Sequence, residues 1–372
     1  MAEKAPLFFS IMAISRLIVS QLRNIERLEL SPAPGVNLIV GANGSGKTSL
    51  LEALYLLGRG RSFKTNKHKA FIKRGTSQVT VFGEVKTLPD VMSISAGVTK
   101  SLDGRHQIKV AGAEATSAAS LLELMPMQLI EPETFKLLAS GPSYRRQFID
   151  WGVFHVEQSF FPCWQRLNRC LKQRNRLLRR GKIERAELLA WDQEFAALAE
   201  SITRQREAYI AQLRPVFNDF LGALVDLPGL AIDFYSGWNV KLPLLDTLAE
   251  MLTSDCRRGF TQVGPHRADL RVKYLEHNAG EVLSRGQQKL VICALKIAQG
   301  YHFSKLTGRP CIYLLDDLAA ELDGTHLDRL CQMLATLNCQ LFITSVDSVA
   351  FSKSWSPMDL KVFHVEHGGL VS

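Results

Sequence analysis

The stretch Gly41-Ala42-Asn43-Gly44-Ser45-Gly46-Lys47-Thr48 lies between the apolar run Val36–Val40 and the helix-like run Ser49–Leu57. The order is strand, glycine-rich turn, helix, and it leaves this chain few folds. A chain of phosphates needs backbone N–H groups drawn close around it. Three glycines let the turn curl with no Cβ in the way, and the helix N-terminus adds its partial positive charge. The pattern puts Lys47 within reach of the β- and γ-phosphate oxygens of ATP and offers the Thr48 hydroxyl to Mg²⁺. Asn43 and Ser45 are polar loop positions that face the nucleotide. At average residue usage the spacing arises by chance in roughly one chain in a hundred of this length. The strand before and the helix after make chance rarer still.

The chain has 372 residues, 46% of them hydrophobic and 22% charged, ordinary for a soluble globular protein and long enough for two domains. A formal net charge of +9 suits a polyanionic partner such as nucleic acid, and also a merely basic enzyme. The seven cysteines are scattered without a Cys-x-x-Cys pair, and an odd total is a poor disulfide framework, so a reducing cytoplasm is expected. No apolar run is long enough to span a bilayer. The stretch Leu7–Ile14 faintly resembles a signal peptide, but Arg16 interrupts it and no small-x-small cleavage site follows; Met12 is an alternative start to Met1.

The turn Gly41–Thr48 is a P-loop, and residues 14–22, rich in branched side chains, predict an early strand beside the P-loop strand Val36–Val40. Beyond the P-loop helix, Arg59, Arg61, Lys64, Lys67, Lys69, Lys73 and Arg74 follow with no acid among them. A one-signed loop of this kind is a candidate phosphate or DNA contact, with Arg59, Arg61 and Lys64 nearest the helix. Alternation at Val79, Val81 and Val85 and then at Met92, Ile94 and Ala96 marks strands over about 78–110, with Asp103-Gly104 as a hairpin turn. Gln128 sits in the short apolar run Met125–Ile130, where it is a candidate ligand of Mg²⁺ and of the attacking water.

Residues 135–225 read as helices, with leucines and aromatics at three- and four-residue spacings. Arg166, Arg169, Lys172, Arg174, Arg176, Arg179, Arg180, Lys182 and Arg185 crowd there against the acid Glu184. This favours phosphate contact, or an acidic protein partner, over a solvated face of mixed sign; Arg174, Arg176 and Arg179 are the DNA-binding candidates. Sheet-like sequence returns at Gly264–Leu270. Ser284 and Gln287 form a capping-box pattern at the start of a helix, and Cys311–Leu315 is a buried-strand run ending in Asp316 and Asp317. A last helix (about 324–337) and a strand (340–344) repeat the βαβ pattern.

Lys47 and Asp316 stand near opposite ends of the chain. A nucleotide-binding sheet assembled from both ends, with a helical insertion between, accounts for that. Asp316 then organises Mg²⁺ and Asp317 polarises the water that attacks the γ-phosphate. Leu283–Gln287 differs from the LSGGQ signature of ABC-type ATPases only by Arg285 in place of the first glycine. In that family the signature of one subunit closes on nucleotide held by the other. Ser284 is therefore a candidate group acting in trans across an ATP-dependent homodimer, with Glu321-Leu322-Asp323 following as a D-loop.

With these motifs together the chain resembles the RecF family of SMC-like ATPases over essentially its whole length. The resemblance is carried by Arg23-Asn24-Ile25, Gly41–Thr48, Gly60-Arg61-Ser62-Phe63, Met125–Glu133, Gly141-Pro142 with Arg145-Arg146, Gly264–Leu270, Leu283–Gln287, Leu315-Asp316-Asp317 and Glu321–Asp323. Asp317, where SMC and transporter ATPases have glutamate, agrees with the RecF pattern. The switch histidine of transporter ATPases is absent from Phe342–Asp347. The resemblance implies an α/β fold, an ABC/SMC-like P-loop ATPase head with an inserted helical, short coiled-coil-like arm. The expected divisions are 1–130 for the N-terminal lobe of the head, 131–260 for the arm and 261–372 for the C-terminal lobe. It also implies a weak, DNA-stimulated ATPase switch that dimerises on ATP and binds double-stranded, gapped or single-strand/double-strand junction DNA. Such a protein works with RecO and RecR to load RecA in repair, replication restart and the SOS response. Two readings compete: an ABC transporter nucleotide-binding subunit, which the basic insertion and missing histidine oppose, and a DNA clamp without hydrolysis, which the intact Lys47, Thr48, Asp316 and Asp317 oppose.

Overall fold

The computed structural model describes residues 11–88, 92–180, 184–349, 351, 355 and 360–371. The extension expected ahead of Met12 falls almost wholly outside them, and Ile11 and Met12 already belong to the first strand. The chain divides into two compact units, one of residues 1–135, 220–226 and 289–372 and one of residues 136–219 and 227–288. The second unit continues past the expected boundary at 260, because the strands on either side of that position pair with each other.

In chain order the strands among the described residues begin with β1 (Ile11–Leu22), β2 (Ile25–Leu30), β3 (Val36–Val40), β4 (Gln78–Leu88), β5 (Met92–Ser101), β6 (His106–Val110), β7 (Ala113–Glu114) and β8 (Met127–Ile130). After them come β9 (Leu230–Tyr235), β10 (Asp269–Tyr274), β11 (His277–Asn278), β12 (Ile312–Leu315), β13 (Leu341–Ser345), β14 (Leu360–Glu366) and β15 (Gly369–Val371). The helices are α1 (Lys47–Arg59), α2 (Ala119–Leu124), α3 (Lys136–Ala139), α4 (Pro142–Val156), α5 (Phe160–Leu178) and α6 (Arg185–Leu224). They continue with α7 (Leu244–Arg258), α8 (Ala279–Val282), α9 (Arg285–Thr307), α10 (Leu318–Glu321) and α11 (Gly324–Ala335). None is long and apolar enough to cross a membrane among the described residues.

The first unit holds two six-stranded sheets. One is antiparallel, ordered β2-β1-β4-β5-β6-β7; the other is ordered β15-β14-β3-β13-β12-β8 and is parallel except at β15. The early strand is therefore not the neighbour of the P-loop strand that its sequence suggested. β1 pairs with β2 and β4, while β3 pairs with β13 and β14. The reason lies in connection length: a tight turn at Arg23-Asn24 can return β2 only antiparallel to β1, whereas parallel neighbours need long crossovers. The hairpin at Asp103-Gly104 is as expected, closed by Ser101 N–H on Arg105 O at 2.9 Å with Gly104 at φ 89°.

Strands β3, β8, β12 and β13 are buried at every position, the mark of parallel strands covered on both faces. Helix α1 is buried all round from Leu50 to Leu57, apolar except for Glu52, and it shares one core with Leu17, Val19, Val81 and Val98 of the antiparallel sheet and Ile39, Leu314 and Phe342 of the parallel one. The helix that follows the glycine-rich turn is thus fixed from both sides.

The second unit combines α3–α5, most of α6, α7 and α8 with the antiparallel sheet β11-β10-β9. It is more than a helical hairpin. Partly buried ion pairs tie it together: Arg206 of α6 bonds both oxygens of Asp150 of α4 at 2.8 and 3.0 Å, and Arg145 bonds both oxygens of Asp269 at 2.7 and 3.0 Å.

Arg174 requires a correction. Its side chain is fully buried, donating to Asp192 at 2.6 Å, Asp255 at 2.6 Å and Thr261 at 2.8 Å. A guanidinium enclosed by two carboxylates cannot meet DNA. On a helix as basic as α5, the sequence does not reveal which arginine faces α6 and α7. Arg176 and Arg179 are exposed, Arg179 donating to Gly259 O at 3.0 Å.

Candidate nucleotide site

The turn between β3 and α1 has the geometry its glycines suggested. Gly46 sits at φ 121°, where a side chain would be strained, and a Cβ on Gly41 would lie 2.3 Å from Val365 O. The loop is braced on its outer side: Ser45 O accepts from Gly368 N–H at 2.7 Å and from Asn24 Nδ2 at 3.1 Å, and Ser49 Oγ donates to Asn24 Oδ1 at 3.0 Å. Lys47 is buried, its ammonium donating to Gly41 O at 2.7 Å and Ala42 O at 3.1 Å. Ser45 Oγ is buried with no hydrogen-bond partner among the described residues. A curled loop with room only for glycine at Gly41, an orphaned hydroxyl and a lysine over the turn fit a phosphate chain, and no acid stands in the first turn of α1 to repel one.

Chain ends remote in sequence meet here. Thr48 Oγ1 at the start of α1 lies 3.1 Å from Asp316 Oδ1 just beyond β12, and Thr344 Oγ1 of β13 donates to the same oxygen at 2.8 Å. The carboxyl of Asp316 is raised above its ordinary value by burial, against the hydrogen bond from Thr344, the charge of Lys64 and the hydrogen bond from Thr48. The hydroxyl and carboxylate side by side are a donor set for a hard divalent cation such as Mg²⁺. Asp317 adopts the left-handed region at φ 54°, sparsely used by residues other than glycine, and its N–H donates to Thr344 Oγ1 at 2.9 Å. Thr344 therefore holds both carboxylate residues in place. Sequence reasoning reached this segment as the strand 340–344 and for the lack of histidine over Phe342–Asp347. Thr344 itself is visible only once β12 and β13 are seen as parallel neighbours.

Gln128 does not face this site. It lies inside β8, 2% exposed, donating to Gln299 Oε1 at 2.9 Å and accepting from Lys296 at 3.3 Å. The residue at the carboxyl end of β8 is Glu131, beside Asp316, whose N–H bonds Ile130 O at 2.9 Å. Burial, and next the charge of Asp316, push the Glu131 carboxyl up to about 7. The short run Met125–Ile130 shows a strand but not which way Gln128 faces, and Glu131 is three residues on from the glutamine the sequence singled out.

The basic loop after α1 is anchored from below. Arg23, at φ 54° in the β1–β2 turn, makes two bonds of 2.8 and 2.9 Å to the buried Glu52 of α1, which also accepts from Ser62. Arg59 is half-buried, its guanidinium 5.7 Å from the Tyr55 ring centre, while Arg61 and Lys64 are exposed.

In the second unit, Ser284 caps α9 through the reciprocal box expected of it. Gln287 N–H donates to Ser284 Oγ at 3.3 Å and Ser284 N–H to Gln287 Oε1 at 2.9 Å. Ser284, Arg285 and Gly286 are exposed, and nothing lies within 4 Å of a Cβ built on Gly286. In the first unit Glu321 pairs with Lys289 at 2.5 Å, and Asp323 caps α11 by accepting from His326 N–H at 3.1 Å.

Residues 13–369 match the family model described as RecF/RecN/SMC N terminal domain. The chain is 49% identical to the DNA replication and repair protein RecF of Stutzerimonas stutzeri (strain A1501), over 96% of each chain. It is 46% identical to that of Pseudomonas aeruginosa (strain UCBPP-PA14), over 96% of this chain and 97% of the relative. Among solved structures, the recombination mediator protein RecF-ATP of the RecFOR pathway superposes with a TM-score of 0.84 at 27% identity, covering 100% of this chain and 99% of that one. An SmcHead bound to the C-winged helix domain of ScpA matches with a TM-score of 0.59 at 16% identity, over 96% of this chain and 95% of that one, a likeness of fold alone. With its P-loop, paired carboxylates and ABC-like signature set in this fold, the chain belongs to the RecF family.

Proposed function

We propose that this protein is an ATP-dependent, DNA-binding recombination mediator acting in DNA repair and replication. The observation that carries the reading is the 3.1 Å approach of Thr48 and Asp316 beneath the loop that Lys47 spans, because it joins a phosphate cradle to a cation-binding carboxylate. Lys47 leaves its two carbonyl partners for the β- and γ-phosphates, and the N–H groups of the loop and the orphaned Ser45 hydroxyl receive phosphate oxygens. Thr48 and Asp316 hold Mg²⁺, which when bound neutralises charge on the phosphates. Asp317, fixed by Thr344, orients the attacking water, and slow hydrolysis resets the protein.

ATP closes two copies into a homodimer, with Ser284 of each completing the site of the other. The exposed cations Arg61, Lys64, Arg176 and Arg179 contribute to a surface for double-stranded, gapped or junction DNA. RecR and RecO are the expected partners, consistent with the RecFOR pathway to which the similar solved structure is assigned, and the outcome is RecA loading and support of the SOS response.

The test is retention on gapped and blunt duplex DNA at two salt concentrations, with ATP or ADP. Wild type is retained with ATP and released with ADP, and Lys47→Ala loses the distinction, because the ammonium is the charge that reads the γ-phosphate. Nucleotide-dependent retention that survives in Lys47→Ala sinks the assignment.

A further inference from the structure

Apart from the nucleotide site, the outer face of α5 in the second unit has a composition that neither its packing nor the mechanism explains. Trp164 is 36% exposed although it is among the largest apolar side chains of the unit. Its ring is stacked on Phe161, centroids 6.4 Å apart and planes within 13°, and Phe161 in turn meets Phe154 edge-on at 5.5 Å. Behind the ring, the Asp150 carboxylate is bound bidentately by Arg206 at 2.8 and 3.0 Å, so the cations of this face do not spend their charge on it. The stack on Phe161, itself braced by Phe154, sets the orientation of the ring before anything binds. Asn168 and Lys172 follow Trp164 at four-residue steps, so the three share one face over about 12 Å of helix. With Arg169 and Gln173 they line an open groove of about 480 Å³. The groove lining includes no carboxylate, and among the described residues neither Arg169 nor Lys172 is in an ion pair.

A flat aromatic face, held rigid and flanked by unpaired cations, suits a ligand that has π-faces and negative charge at a short repeat. We propose that this face of α5 binds single-stranded DNA, with a base stacked on Trp164 and the adjoining phosphates on Arg169 and Lys172. Duplex DNA satisfies the cations but not the ring, because its bases are already stacked on one another. A single strand offers both, and stacking of this kind accepts any base. The inference rests on the DNA-binding reading and deepens it, since it supplies an element that recognises the unpaired stretch of a gap.

The experiment measures binding, with ATP present, of a labelled oligo-dT strand, a strand of equal length with abasic sites in place of the bases, and a blunt duplex. Wild type prefers oligo-dT to the abasic strand by about tenfold. Trp164→Ala removes that preference while leaving duplex and ATP binding unchanged, and Trp164→Phe, which keeps a stacking ring, retains most of it. Arg169→Glu with Lys172→Glu weakens oligo-dT and the abasic strand alike, which guards against an alanine variant that merely unfolds. An oligo-dT preference that persists in Trp164→Ala, or a loss that is equal for duplex and single strand, overturns the proposal and leaves the face to a protein partner. If wild type shows ATP-dependent duplex retention but no preference for bases over abasic sites, this inference fails alone. Without that retention, but with a preference lost in Trp164→Ala, the functional reading fails and this one stands.

Discussion

Single side chains carry two kinds of work in the nucleotide site, and they separate by substitution. Asp316 is built into the sheet end, bonded by Thr48 and Thr344, whereas Asp317 is held through its backbone, its N–H on Thr344 and its carbonyl on Ala320 N–H, and its carboxylate makes no cap. Asp317→Asn preserves size and the left-handed backbone that asparagine also tolerates. It is expected to leave ATP affinity and ATP-driven dimerisation intact while slowing hydrolysis by at least about a hundredfold, the scale of one lost base in the transition state. Phosphate release measured beside equilibrium nucleotide binding checks this. Full hydrolysis in the variant would move the role to another carboxylate, Glu321 being the next along the chain.

At the scale of elements, α5 shows how one helix can hold a structural cation among functional ones. Its basic residues look alike in sequence, but Arg174 points into α6 and α7 while Arg176 and Arg179 are exposed. Removing one partner of a buried pair leaves the others charged and unpaired, at a cost of about 3–5 kcal/mol. Arg174→Ala should therefore lower the denaturant midpoint strongly and, in the protein that remains folded, leave the salt dependence of DNA binding unchanged. Arg176→Glu with Arg179→Glu should do the reverse, with stability changing by about 0.5 kcal/mol or less per site. The log–log salt slope should fall by up to about one for each phosphate that is no longer neutralised. Equal effects of the two sets on DNA binding would mean that the helix turns over on its ligand.

For the whole molecule, the question is whether the site is complete within one copy. Lys47, Thr48, Asp316 and Asp317 lie in the first unit and Ser284 in the second. The Ser284–Gln287 box makes Ser284 a sufficient local cap, so its geometry alone does not demand a partner. Its exposure beside the bare Gly286 leaves it accessible to one. Ser284→Arg should block ATP-driven dimerisation, read by light scattering, while monomeric ATP affinity holds. A mixture with Lys47→Ala should recover partial hydrolysis, because one of its two composite sites then carries neither defect. Loss of ATP binding in the isolated Ser284→Arg monomer would confine Ser284 to capping and remove the dimer from the mechanism.

Local chemistry was readable from the sequence wherever function depends on backbone shape or short spacing. Gly41–Thr48 has the spacing of a phosphate turn between a strand and a helix, the Asp316-Asp317 pair closes a strand of continuous apolar residues, and Ser284 with Gln287 is a cap by spacing alone. Tertiary structure decided what depends on which remote atoms arrive. It sent β1 to the antiparallel sheet, enclosed Arg174 between Asp192 and Asp255, turned Gln128 toward Gln299 and Lys296, and set Glu131 and Thr344 beside Asp316. The physical reason is that a strand's direction, its end and its buried face are chosen by its neighbours. A parallel sheet draws those neighbours from distant parts of the chain, where no local pattern records them.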